Sequence, residues 1–365
     1  MIARRFPWGL LVVAAAFAVP AVGSRFYTFL ATDIAILALF AVSLNLLLGY
    51  TGLVSFGHAA YFGIGAYTTG ILMKTAGVSF LLAFPAAGLL AGVFALLFGF
   101  FCVRLTKIYF AMLTLAFAQI VWAICFKWND VTGGEQGMPE IPYPELSWME
   151  RVPWVGDLRT SDHYYFLVVV LVAAALWVLR RIVESPFGQI LTTIRENPER
   201  AEFIGVNVRR HELVAFVIAG AFAGLSGALF GIFNRGVFPD FAYWSKSSEV
   251  LIMTILGGMG HFYGPAVGAG VLLVLNQQIT SYTEYWPFVL GTILIVLLFA
   301  FPGGLVGAIA TAVARLGSRG APGDARPVLG DASAGRAASR AASTAPDHPG
   351  AAPPASAPPE RAPRA

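Results

Sequence analysis

Charge is what this sequence has least of. Only 12% of its 365 residues are Asp, Glu, Lys or Arg, against about 25% in a soluble domain, which excludes an ordinary water-soluble fold. Lysine is rarer still: Lys74, Lys107, Lys127 and Lys246 are the whole complement. A phosphate-binding P-loop needs G-x-x-x-x-G-K-[ST], its lysine reaching the phosphates, and none of the four follows such a glycine pattern. Any ATP hydrolysis coupled to this chain therefore takes place on another one. Two cysteines, Cys102 and Cys125, provide neither a disulfide framework nor metal-ligand spacing. They sit in or beside apolar runs and read as small packing residues.

What fills the chain is hydrocarbon. It is 57% hydrophobic, with a mean hydropathy of +0.72. Apolar runs recur from Leu10 to Ala310, several near the ~20 residues needed to cross a bilayer. The expected fold class is an all-α polytopic membrane protein of about ten spans. These fall near 8–24, 28–49, 53–73, 79–102, 108–126, 164–183, 212–234, 248–260, 264–281 and 285–310. With that count, Arg4, Arg5, Arg104, Lys107, Arg180, Arg181, Arg195, Arg200, Arg209, Arg210, Arg315 and Arg319 share one side. That side is the cytoplasm, and both termini lie there. Arg25, Lys74, Lys127 and Lys246 fall near outer ends, against the bias. A pI of about 9.1 thus reflects membrane orientation, and no nucleic-acid partner is expected. The first run also reads as a signal peptide, with Arg4 and Arg5, an apolar core and then "AVPAVGS"; either reading leaves the remaining topology unchanged.

Three segments depart from this pattern. Residues 317–365 are rich in Ala, Pro, Arg, Ser and Gly, with no period that buries a face, and are expected to be a disordered cytoplasmic tail behind a membrane domain of residues 1–310. Residues 127–163 form an outside loop too polar to span. It holds Tyr143, Trp148, Trp154 and several prolines, fit to rest at the interface or to dock a soluble partner. Residues 184–211 form an inside loop with two helix starts, Ser185-Pro186 and Asn197-Pro198, each a capping residue followed by proline. The first helix places Ile190, Leu191 and Ile194 on one face, and the second ends at Gly205. Such a pair either lies on the bilayer or presents a knob to a cytoplasmic protein.

The stretch "GYTGLVSFGHAAYFGIGAYTTG", residues 49–70, carries six glycines: Gly49, Gly52, Gly57, Gly63, Gly65 and Gly70. That is too many for one packing face. It suits a broken or re-entrant segment whose freed backbone is buried or lines a cavity. "GGMGHFYGPAVGA", Gly257 to Ala269, is a similar glycine-histidine-aromatic segment. Paired interruptions of this kind point to a substrate path. The candidate path residues are Asn45, Gly52, Ser55, Gly57, His58, Tyr61, Gly63, Gly257, Gly258 and Gly264.

Two other function classes compete. "GLSGA", Gly224 to Ala228, resembles the serine motif of rhomboid intramembrane proteases, with His58 or His261 as the base. Small residues fill that whole span, however, as close helix packing demands. Ion-coupled transport needs ionisable groups near the bilayer centre; Asp33 and Glu249 fall near outer ends and His58 is alone, which disfavours it.

Five stretches in order, "LNLLLGYTGLVSFGHAAYFGIGAYTTGIL", "RLTKIYFAMLTLAFAQI", "VTGGEQGM", "IRENPERAEFIGVNVRRHELVAFVIAGAFAGLSGALFG" and "ILGGMGHFYGPAVGAGVLL", resemble the permease subunits of branched-chain amino acid ABC importers of the LivM type. The resemblance runs from Asp33 to Gly307. It implies a bacterial plasma (inner) membrane location and, besides membrane lipid, a second permease, two cytoplasmic ATP-binding subunits and an outer-side solute-binding protein. It also implies no cofactor in this chain, with ATP and Mg on the partner subunits. After "GGMG" family members often carry a small hydroxyl residue where this chain has His261. Close relatives are suited to urea or short amides, so those remain an alternative cargo. On this resemblance the ATPases are expected to meet Arg195, Glu196, Asn197, Glu199, Ala201, Glu202 and Gly205, and the binding protein to meet Thr132, Gly133 and Gly134.

Overall fold

The computed structural model describes residues 25–144, 160–280, 282, 285–300 and 303–308. The expected first span at 8–24, the tail at 317–365, and Trp148 and Trp154 in the outside loop lie outside the described residues. The fold is all-α. Among the described residues up to 300 the helices are, in order, α1 (Arg25–Asn45), α2 (His58–Lys74), α3 (Phe80–Cys102), α4 (Lys107–Lys127), α5 (Asn129–Thr132), α6 (Thr160–Glu184), α7 (Pro186–Glu196), α8 (Pro198–Phe203), α9 (Val208–Phe233), α10 (Trp244–Gly257), α11 (Gly264–Thr280) and α12 (Trp286–Ala300). Among the described residues the strand pairing is a two-residue antiparallel ladder, β1 (Met138–Pro139) against β2 (Gly236–Val237).

Five described helical stretches are long and apolar enough to cross a membrane: Arg25–Thr51, Phe80–Cys102, Ile108–Lys127, His163–Glu184 and Val208–Phe233. The expected spans at 53–73, 248–260, 264–281 and 285–310 hold the shorter helices α2, α10, α11 and α12, of 14 to 17 residues. Alpha-10 is short for a visible reason. After α9 the chain pairs as β2, with Val237 beside Gly70, and then turns back through a 3-10 turn, Pro239–Ala242, until Ala242 sits against Gly63. Seven helical residues separate Gly70 from Gly63, about 10 Å of axial travel. Alpha-10 therefore starts well below the end of α2.

Burial follows the logic of a bilayer. Every residue of α1 from Ile36 to Asn45 is buried, as expected of a helix apolar all round that is enclosed by others. Alpha-3 is inverted relative to a soluble helix. It buries Ala83, Ala87, Gly88, Ala91, Gly92 and Ala95 while exposing Leu82, Leu89, Val93, Leu96, Phe100 and Phe101. Lipid is as apolar as leucine, so large side chains gain nothing by turning inward, whereas small ones let backbones approach. The seam with α9 shows that approach: a Cβ added at Gly224 would lie 2.3 Å from the Cβ of Ala91.

Candidate functional site

Regular helix fails in one place between α1 and α2. Alpha-1 runs into a π-turn, Leu46–Thr51, which ends at Gly52 in the left-handed region (φ 78°). Residues 52–57 are irregular, and α2 begins at His58. Irregular backbone at membrane depth survives only when its polar groups are taken up inside protein, and several of those at this break and the adjoining helix ends are. The Leu53 N–H donates to the Leu47 carbonyl at 3.0 Å. Thr51 Oγ1 donates to the Leu46 carbonyl at 2.9 Å, and the Ala59 N–H donates to Ser247 Oγ at 2.8 Å.

A second interruption, Gly258–Tyr263, lies against the first. Gly258 has φ 109°, and a Cβ on Gly264 would lie 2.2 Å from the Gly258 carbonyl oxygen. Asn45 Nδ2 donates to the His261 carbonyl at 3.3 Å, and Gly49 leaves no room for a Cβ between the Asn45 side chain and the Met259 carbonyl. Of the candidate path residues, Asn45 is thus brought together with the Gly257–Gly264 turn. Gly57 and Gly63 sit elsewhere, in close contact with the Thr114 carbonyl on α4 and with Ala242. Gly257 fits against the Gly264 carbonyl oxygen, where a Cβ would lie at 1.8 Å.

His58 is wholly enclosed. Its Nε2 lies 2.9 Å from Ser43 Oγ, its ring stacks on Phe40 at 5.3 Å between centroids, and Tyr61 meets it edge-on. Ser43 Oγ also donates to the Phe40 carbonyl at 2.7 Å. A hydroxyl has one proton, so the network assigns the histidine proton to Nε2, pointing at Ser43. That leaves His58 Nδ1, and nearby on the chain Ser55 Oγ, as buried polar atoms without a partner. The rhomboid-like Ser226 is not paired with this histidine; its hydroxyl donates to the Ile36 carbonyl at 2.7 Å.

The loop helices form at the two prolines. Asn197 Oδ1 accepts the Arg200 N–H at 2.9 Å. The end of α8 closes with Val206 N–H to the Ala201 carbonyl and Gly205 N–H to the Glu202 carbonyl, around Gly205 at φ 88°. Both bonds together make a Schellman terminus. Ile194, Ala201 and Val208, with Ile190 and Val206, form a small core that locks α7, α8 and the start of α9 together. Ala201 is therefore interior, while Glu196, Glu199 and Glu202 are exposed. Arg195 is largely exposed, but it lies along the π-turn and its Nη1 donates to the Gly49 carbonyl. The sequence reading passed over Phe203 and Ile204, which are 90% and 70% exposed at the tip of the loop. The signal was present, since two large apolar residues stand directly before a glycine terminator in a polar loop.

At the opposite end, Thr132 and Gly134 are buried and Gly133 is half-buried. Thr132 Oγ1 lies 2.7 Å from both the Cys125 and the Trp128 carbonyls, so the three residues shape a turn. The exposed groups beside them are Glu135, Gln136 and Glu140. Near that end Lys246 Nζ pairs with Glu249 Oε2 at 2.8 Å, and Asp33 Oδ1 is a buried oxygen without a partner. No group of three or more metal-ligating side chains occurs among the described residues.

Residues 26–298 match the family described as branched-chain amino acid transport system permease component. The high-affinity branched-chain amino acid transport permease LivM of Escherichia coli K12 is 31% identical over 319 residues, covering 83% of this chain and 75% of that one. LivH of Salmonella typhimurium, a permease of the same kind of system, is 25% identical over 74% of this chain and 91% of its own length. A guanosine ABC transporter permease of Bacillus subtilis, NupQ, is 25% identical over 40% of this chain and 46% of its own. No solved structure matches.

Proposed function

The chain belongs to the branched-chain amino acid transport permease family, and from that premise we propose that it is the membrane-spanning subunit of an ATP-driven importer of branched-chain amino acids. Members of this family are transporter permeases, and the chain is a multi-pass membrane protein. It sits in the bacterial plasma membrane beside a second permease. Two ATP-binding subunits supply ATP and Mg from the cytoplasm, and a solute-binding protein delivers cargo from outside. Residues 1–310 make the membrane domain, 127–163 its outer loop and 184–211 its coupling loop.

The observation that carries this reading is the knob at Phe203 and Ile204. Large apolar side chains this exposed, on a loop outside the bilayer, mark a surface covered by a partner. The knob stands on helices fixed by Asn197, by the Gly205 terminus and by a core of their own. A rigid handle of this kind passes a partner's movement on without bending. Glu199, Arg200 and Glu202 ring it with exposed charge. The substrate path runs through the interruptions that Asn45, Gly52, Ser55, His58 and the Gly257–Gly264 turn surround.

The test is uptake by the assembled transporter in proteoliposomes with ATP inside and binding protein outside. ATP-dependent accumulation of leucine, competed by isoleucine and valine, is the expected outcome. Accumulation of urea, acetamide or guanosine with no accumulation of leucine overturns the cargo. Accumulation independent of ATP overturns the mechanism.

A further inference from the structure

The end of α1 is held from a distance. A π-turn and a left-handed glycine leave helix carbonyls without their usual donors, and the hydrogen bonds at Leu46 and Leu47 take up two of them. The Gly49 carbonyl is taken by Arg195 Nη1, from a residue 146 positions further along the chain. The stem of Arg195 also lies on Gly52, where an added Cβ would be 3.1 Å from its Cγ. A cation at the C-terminal end of a helix is well placed electrostatically, because the peptide dipoles leave that end negative.

Gly49 in turn abuts the Met259 carbonyl, and Asn45, one turn back, donates to the His261 carbonyl. One guanidinium therefore touches the element to which both interruptions are fastened. On its other side Arg195 follows Ile194, a core residue of the α7–α8 unit that also holds Ala201, two residues before Phe203. The knob and the residue preceding Arg195 thus share one small core.

We propose that Arg195 is the positioning residue through which the α7–α8 loop controls the break in the membrane helix. When the loop shifts, Arg195 leaves the Gly49 carbonyl, the π-turn loses its cap, and the 258–261 turn moves with it. This rests on the reading above that the loop meets the ATP-binding subunits.

The experiment labels the assembled transporter in lipid nanodiscs, where a maleimide probe reaches both faces, with Cys102 and Cys125 replaced by alanine, and reads uptake of the same variants in proteoliposomes. Glu202→Cys reports docking of the loop, and Val54→Cys, within the irregular segment, reports the break. In the otherwise unaltered transporter Glu202→Cys is protected by the ATP-binding subunits, and Val54→Cys reacts at rates differing at least threefold with and without trapped ATP. With Arg195→Ala the protection at Glu202→Cys persists, the nucleotide response at Val54→Cys disappears and uptake falls at least tenfold; Arg195→Lys lies between. A nucleotide response at Val54→Cys that survives Arg195→Ala overturns the proposal alone. Free labelling of Glu202→Cys in the unaltered transporter overturns the docking reading and this proposal together. Should Arg195→Ala fail to assemble, Arg195→Lys decides: a response at Val54→Cys reduced at least twofold supports the proposal, and an unchanged one overturns it.

Discussion

The hydroxyl of Ser247 accepts the amide N–H of Ala59 at 2.8 Å, both residues fully buried, and so ties the first turns of α10 and α2 together. Ser247 does for α2 what an N-cap does from within the chain, but from 188 residues away. Ser247→Ala leaves a buried donor unsatisfied, at a cost of about 1–2 kcal/mol. The expected result is a lower unfolding midpoint for the detergent-purified protein, with Ser247→Thr milder. A midpoint equal to wild type for Ser247→Ala means the bond contributes nothing.

Two glycines give opposite expectations. A Cβ at Gly227 would lie 1.9 Å from the Phe62 carbonyl oxygen, whereas nothing lies within 4 Å of one at Gly260. A backbone oxygen cannot step aside as a side chain can, so Gly227→Ala forces α2 and α9 apart and costs about 1–3 kcal/mol or more. Gly260→Ala stays close to wild type. Yield and monodispersity after extraction compare the two. Gly57→Leu and Gly63→Leu meet the Thr114 carbonyl and Ala242, so assembly is measured before uptake in those variants.

His58→Gln keeps a donor facing Ser43. Uptake is expected to persist within a fewfold and to stay flat between pH 5.5 and 8, since His58 is assigned no proton to transfer. Uptake that collapses in this variant and recovers only at one end of that range would restore an ion-coupled mechanism.

Phe203 is almost entirely exposed, so its replacement leaves α8 standing. Phe203→Asp is expected to weaken retention of the ATP-binding subunits by about 30-fold, the loss of a hot spot worth ~2 kcal/mol. Glu199→Lys and Glu202→Lys change it by less than about fivefold, as exposed ion pairs contribute only ~0–1 kcal/mol. Ala201→Pro removes the N–H that donates to the Asn197 carbonyl and unsettles the whole knob. Co-purification under a salt series reads all four.

Sidedness follows from the arginine asymmetry. Gln136→Cys is expected to react with an impermeant maleimide only from outside intact cells, and Glu202→Cys only from the cytoplasmic face of inverted vesicles. Labelling of both from one face breaks the topology.

The sequence was legible where structure is local. Prolines announced both α7 and α8, because a helix start is decided within four residues; Asn197 caps the second as expected, whereas Ser185 turns its hydroxyl back to the Ile182 carbonyl and leaves α7 without a side-chain cap. Glycine density announced the break after α1. The reach of Arg195 to Gly49, of Ser247 to Ala59 and of Ser226 to Ile36 was not legible, since those partners lie 146, 188 and 190 residues apart. Nothing in a one-dimensional pattern says which helix a glycine faces. Gly57, at the N-cap of α2, and Gly63 and Gly65 within it admit α4, the 3-10 turn and α9 respectively. The shortness of α10 was hidden for a similar reason, as it depends on how far the preceding connection folds back.

The face that α3 turns to α9 is mostly alanine and glycine, while most of the leucine, valine and phenylalanine of α3 is left on its outer surface. Alanine and glycine have no rotamers to freeze, and burying them forfeits essentially no side-chain conformational entropy, against roughly 0.5–1 kcal/mol for a leucine. The outward leucines keep their disorder among equally disordered acyl chains. Alpha-3 thus closes with most of its own side-chain freedom intact, and the entropy lost at the seam falls mainly on Leu213, Phe216, Val217 and Leu225 of α9, which lie over its glycines.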